Sequence, residues 1–207
     1  MTLDEYFAAI DAPGFAALGL LPRDRASDLT EAMRGHPVVD LLQGRVLDDP
    51  QTSNHHLLLG RAPLTGRVLY LTHDGDSRVV FDSLADFVAA VRQAGEQGLD
   101  VEELHPELSP LVDGQPPLGG LIRELLQQES GVDVVLTLIP SLDLGDLALL
   151  ETLARDDDFF LGEAVAMAIE RRPSRALRAV AALCQAHPHI QVSRAGTRAL
   201  RRIDALG

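Results

Sequence analysis

Apolar and polar positions along the chain change their spacing several times, and each change marks an element. Leu3 to Ala12 mixes apolar and acidic residues in a short helical pattern, which Pro13-Gly14 ends or redirects. A second apolar stretch, Phe15 to Leu21, leads to Pro22. Asp24 to Arg34 is predicted as a further helix, closed by Gly35 and Pro37. Val38 to Leu42 is apolar enough to be buried and too short to assign by period.

The middle of the chain reads differently. His56 to Leu59 and Arg67 to Thr72 are short apolar runs bounded by Gly60, Pro63 and Gly66. His73-Asp74-Gly75-Asp76 follows, and its Asp-Gly pair favours a tight turn that tolerates positive φ. Val68 to Thr72 and Arg78 to Phe81 are therefore predicted as two antiparallel strands joined across that turn. Ser83 then caps a helix, with Asp86 three residues on placed to accept from the amide of Ser83. Leu84, Phe87, Val88 and Val91 form one stripe, which Gly95 and Gly98 weaken, and that stripe should cover one face of the sheet.

From His105 to Pro117 the chain carries Pro106, Pro110, Gly114, Pro116 and Pro117, which leaves little room for a regular element. This spacing divides the protein into a domain over 1–105, a connector over 106–117 and a helical domain over 118–207. Leu108, Leu111 and Val112 are placed to dock the connector on the body. Beyond it, Leu121, Ile122, Leu125 and Leu126 recur at helical spacing up to Gly131, and Val132 to Leu138 is assigned as helix from its surroundings.

A weak repeat of about 30 residues organises the end of the chain. Leu153 corresponds to Leu183, Asp158 to Pro188, Phe160 to Ile190 and Val165 to Ala195, while Ile169 falls near Ala199 and Leu200. The first pair of helices is predicted over Leu144 to Arg155 and Phe160 to Arg171, the second over Arg175 to His187 and Gln191 to Ile203. Leu118 to Leu138 supplies an earlier, irregular pair. Small Ala side chains let neighbouring helices approach while Leu and Ile fill between layers.

Two resemblances follow from these residues. Asp157-Asp158-Phe159-Phe160-Leu161-Gly162-Glu163-Ala164-Val165 and His187-Pro188-His189-Ile190-Gln191-Val192-Ser193-Arg194-Ala195 resemble HEAT-like helical repeats. Leu18-Gly19-Leu20-Leu21-Pro22, Gly66-Arg67-Val68-Leu69-Tyr70 and Phe81-Asp82-Ser83-Leu84-Ala85-Asp86-Phe87 resemble the SMI1/KNR4-like, or SUKH, superfamily over about residues 1–95. The fold expected is thus α+β: an N-terminal mixed domain with a small antiparallel sheet, followed by short HEAT-like α-helical hairpins. What the second resemblance implies is a protein-binding module, commonly a bacterial immunity protein that neutralises a toxin by steric occlusion.

Charge sharpens that expectation. The 207 residues are 46% hydrophobic and 24% charged, with 4% aromatics and no Trp, an ordinary balance for a folded chain whose interior is Leu, Val and Ala. The net charge is -13, and all 18 basic residues are Arg. Residues 1–170 hold 10 Arg against 30 acids, whereas residues 171–207 hold 8 Arg against a single acid. An acidic body repels the phosphates of nucleic acid and suits a basic protein partner such as a toxin. The basic end reads as Arg-lined solvated helix faces or as a surface that attracts the protein's own acidic body. No run approaches the roughly 20 apolar residues of a membrane span, no charged leader precedes an apolar stretch, and both favour a cytoplasmic protein.

Candidate chemistry is sparse. Cys184, the single cysteine, lies in an apolar stretch and reads as a buried thiol. The chain lacks a Gly-rich phosphate loop, a His-Glu-x-x-His helix and a Gly-x-Ser-x-Gly elbow. His55, His56, His73, Asp74 and Asp76 form the enzyme alternative, a metal-dependent hydrolase centred on His73 with Asp74 or Asp76. Adjacent His55 and His56 on an extended strand would point apart and serve one ion poorly. Asp156, Asp157 and Asp158 read as a solvated break favouring the start of the next helix. No residue is therefore assigned a catalytic, cofactor-binding or metal-binding role, and the expected function is noncatalytic protein binding, as an immunity protein or as a structural adaptor.

Overall fold

The computed structural model describes residues 1–11, 18–49, 52–73 and 75–207; Pro13-Gly14, the first part of Phe15 to Leu21, and Asp74 lie outside them. Two units, Met1–Val112 and Asp113–Gly207, make up the chain, so His105 to Val112 goes with the first.

Unit 1 begins with α1 (Leu3–Ile10), opened by a reciprocal cap in which the Thr2 hydroxyl accepts from the Glu5 amide at 3.2 Å and Glu5 accepts from the Thr2 amide at 2.7 Å. Helices α2 (Arg23–Ala32) and α3 (Pro37–Leu41) follow, so the short apolar run after Gly35 is helical, with Pro37 at its first position. Four strands then form an antiparallel meander: β1 (Arg45–Val46), β2 (His55–Leu58), β3 (Val68–Leu71) and β4 (Arg78–Phe81). The two strands expected on either side of the Asp-Gly turn are β3 and β4; β1 and β2 extend the same sheet.

The register sets which residues share a face. His56 pairs with Tyr70 and Tyr70 with Arg78, while Leu57 pairs with Leu69 and Leu69 with Val79. The face bearing Val68, Tyr70 and Val80 packs with α4 (Leu84–Gln97), whose Leu84, Phe87, Val88 and Val91 belong to one apolar cluster with Tyr6, Phe7 and Ile10 of α1. The Ser83 hydroxyl accepts from the Asp86 amide at 3.2 Å, as its spacing predicts. The return contact differs from expectation: Asp86 accepts from the Ser83 hydroxyl at 2.7 Å, because an Asp side chain is one methylene shorter than the Glu that normally reaches the cap amide. A 3-10 turn, Val101–Leu104, follows α4 and carries the chain to His105.

Unit 2 is entirely helical: α5 (Gln115–Leu125), α6 (Gly131–Leu138), α7 (Leu147–Ala154), α8 (Phe159–Arg171), α9 (Arg178–Gln185) and α10 (Ile190–Asp204). Helices in like positions of the two repeats touch, α7 against α9 and α8 against α10, which is how stacked helical pairs bury a shared core. Helix α7 starts three residues later than Leu144, since Leu144 takes a left-handed φ of 64° and Asp146 caps the helix by accepting from the Leu149 amide. Asp158 likewise caps α8 through the Phe160 amide, and Asp156 accepts from the Asp158 amide at 2.9 Å. Cys184 is buried with its Sγ 3.7 Å from the Gly162 carbonyl, and burial pushes the thiol up to about 11. Phe160 and Ile190, equivalent in the repeat, both face outward.

Candidate functional site

The densest polar constellation lies in unit 1, where β2 places His56 on the sheet face that α4 covers. Its neighbour Tyr70 comes from β3 by direct pairing, and Asp48 comes from the loop after β1. The Asp48 carboxylate accepts from the His56 backbone amide at 2.7 Å and sits 2.5 Å from His56 Nδ1. His55, on the opposite face of the strand, meets the Asp48 carbonyl through Nδ1 at 3.1 Å. The two histidines thus point apart as the strand geometry predicts, and together they clamp one aspartate.

His56 reaches a second partner, His105, with the two Nε2 atoms 2.8 Å apart. One of these nitrogens must donate and the other accept. In either arrangement both ring nitrogens of His56 are engaged by the protein. Burial, then the His56 and Arg78 charges, push His105 down to about 3, so this ring is neutral at pH 7. Aromatic rings enclose the pair: the His56 ring centroid lies 5.0 Å from Tyr70 and 4.9 Å from Phe87, and His105 stands edge-on to Tyr70 at 4.8 Å. Arg78 holds the following segment to β4 by donating to the Pro106 carbonyl at 2.7 Å.

Tyr70 and Tyr6 are phenols held in the neutral form. Burial raises Tyr70 first, and a hydrogen bond to Glu102 adds to it against an opposing bond to Asn54. Burial and the Asp48 charge raise Tyr6, whose hydroxyl donates to the Leu47 carbonyl at 3.2 Å.

Beside this cluster runs a groove of about 680 Å³. Its apolar lining comes from Leu18, Val91, Ala94, Leu99 and Val101, and its carboxylates are Asp48, Asp49, Asp100 and Glu102; among the described residues no Arg lines it. Gly95 opens α4 to this side: a Cβ there would stand 2.6 Å from Leu18 Cδ2. The groove falls within the size range of sites that take a side chain or small ligand, and its charge favours a cation.

The residues singled out from the sequence separate here. His55 and His56 join the buried cluster, the residues being 9% and 2% exposed. His73 and Asp76 are exposed at the β3–β4 turn, where the His73 amide donates to Asn54 at 3.1 Å, and Asp74 is outside the described residues. Among the described residues no three His, Cys, Asp or Glu side chains come close enough to hold a metal ion, and no helix is long and apolar enough to cross a membrane. Asp48 and His105 were not legible as site residues, because each meets His56 only through the tertiary fold. Compared with protein-family models, curated proteins and solved structures, the chain matches none.

Proposed function

We propose that the protein is a noncatalytic protein-binding module of the SMI1/KNR4-like kind, acting in the bacterial cytoplasm as an immunity protein that captures a basic toxin and occludes it. The observation that carries this reading is the groove of unit 1, where the carboxylates of Asp49, Asp100 and Glu102 stand over apolar side chains without an Arg among the described lining residues, Asp48 beneath them being held by His56. Such a surface attracts a basic protein over distance and gives the aliphatic stems of its Lys and Arg side chains somewhere to lie. The polar cluster beside it supports the noncatalytic part. A general base needs a nitrogen within reach of substrate, whereas both His56 nitrogens are spent on Asp48 and His105.

Affinity capture from a strain expressing the neighbouring genes tests the proposal. The expected result is a basic toxin whose activity falls to background at one equivalent of this protein. A toxin that binds stoichiometrically and keeps its activity would remove the immunity reading and leave an adaptor.

A further inference from the structure

We infer that the exposed face of α10 is a docking surface for a carboxylate-rich segment of a second protein, separate from the basic partner proposed for unit 1. Arg194, Arg198, Arg201 and Arg202 are all exposed on this helix. At 3.6 residues per turn they fall within an arc of about 100° and span about 12 Å along the axis. The opposite side carries Val192, Ala195, Ala199 and Ile203, all buried in unit 2. Arg171 extends the basic face, because its sequence neighbour Glu170 accepts from Arg198 Nε at 2.8 Å and so brings the end of α8 alongside.

Little of this positive charge is neutralised within the unit. Arg198 has Glu170, and Asp204, the only acid after residue 170, is taken by Arg178. Among the described residues Arg171, Arg194, Arg201 and Arg202 form no ion pair. The negative end of a helix supplies roughly half a charge, too little to balance several guanidinium groups gathered at the ends of α8 and α10. Each guanidinium offers a planar fork that a carboxylate meets with two parallel hydrogen bonds.

Charge complementarity selects an anion, and the surroundings select a short protein segment over nucleic acid. The chain as a whole carries -13, and unit 2 itself holds 10 Arg against 13 acids. A polyanion extending past a stripe of about 12 Å runs into that acidic remainder and is repelled. An acidic segment of a few residues covers the stripe and stops.

The test is fluorescence anisotropy on the full chain with a labelled hexaglutamate peptide, a labelled oligothymidine of equal length, and mass measurement of the chain alone. Saturable peptide binding is expected, weakened at least tenfold (about 1.4 kcal/mol) in R194Q/R201Q/R202Q and within twofold of wild type in R25Q/R34Q/R155Q, which removes the same charge elsewhere. Both variants should keep the wild-type circular dichroism spectrum and melting temperature. Absence of peptide binding, or equal loss in both variants, overturns the inference. Tighter binding of the oligonucleotide reassigns the face to nucleic acid, and self-association abolished by R194Q/R201Q/R202Q reassigns it to a second copy; either result overturns it as well.

Discussion

His56 and His105, 49 residues apart, meet nitrogen to nitrogen at 2.8 Å, while the other nitrogen of His56 faces Asp48 at 2.5 Å. This chain of three side chains fastens the segment after the 3-10 turn Val101–Leu104 to the sheet. It also positions the groove, since the turn and its cap contribute Asp100, Val101 and Glu102 to one wall. The two histidines are therefore a buttress for a binding surface, and replacing them should alter stability and groove shape together.

Replacing His105 with Ala leaves His56 Nε2 in a nearly sealed site without its partner. The expected loss is about 1–3 kcal/mol, the cost of an unsatisfied buried polar group, read as a lower urea midpoint with an unchanged slope.

The same histidine gives a pH dependence whose sign is fixed. Its folded value, about 3, lies below its ordinary 6.5, so between these values the unfolded chain binds a proton that the native chain does not. Stability present above pH 6.5 is lost as pH falls toward 3, at no more than about 1.4 kcal/mol per pH unit for one proton, and by less to the extent that solvent screens the half-buried ring. Urea midpoints at pH 7.5 and 5.5 should differ more for wild type than for His105→Gln. An equal difference in both would show that His105 does not titrate this way.

In unit 2 the close approach of α9 and α10 depends on Gly196. A Cβ there would stand 2.3 Å from the Gln185 backbone nitrogen and 2.6 Å from the Cys184 carbonyl carbon, so backbone must move. Gly196→Ala should lower stability by about 1–3 kcal/mol, as overpacking does. Gly120→Ala, at an exposed position of α5 with nothing near its added methyl, should raise it by up to about 1 kcal/mol through helix propensity. Thermal unfolding distinguishes the two directions.

Arg172 straps the end of α8 to the loop before α7, donating to the Pro140 carbonyl at 2.7 Å and the Leu142 carbonyl at 3.1 Å. Burial, then Arg171, pulls its proton affinity down, yet it remains charged at neutral pH. Arg172→Met keeps the stem and removes both bonds; a loss of about 1.5–3 kcal/mol is expected, measurable by denaturant unfolding.

What was legible in the sequence was local. The stripe Leu84, Phe87, Val88 and Val91 with Ser83 before it, and the Val- and Phe-rich strand before that, carry their signal within a few residues of chain, and each is found as an element. His56 to Leu59 showed only a short apolar run, because one His and three Leu give no period to count. The site needed more: Asp48, His56 and His105 come from a loop, a strand and the end of a 3-10 turn, and no spacing rule joins them. His73, prominent for its Asp-Gly neighbours, proves to be an exposed turn residue. The groove is equally nonlocal, since its acids are scattered from Asp48 to Glu102 and converge only through folding.

Calorimetric titration of the captured basic partner into wild-type protein and into the groove variant Asp100→Asn with Glu102→Gln tests the central claim most directly. Wild type should bind one to one, and the groove variant should bind at least tenfold more weakly while unfolding at nearly the same temperature. Equal affinity for both proteins would contradict the account, because the partner would then be held somewhere other than the acidic groove.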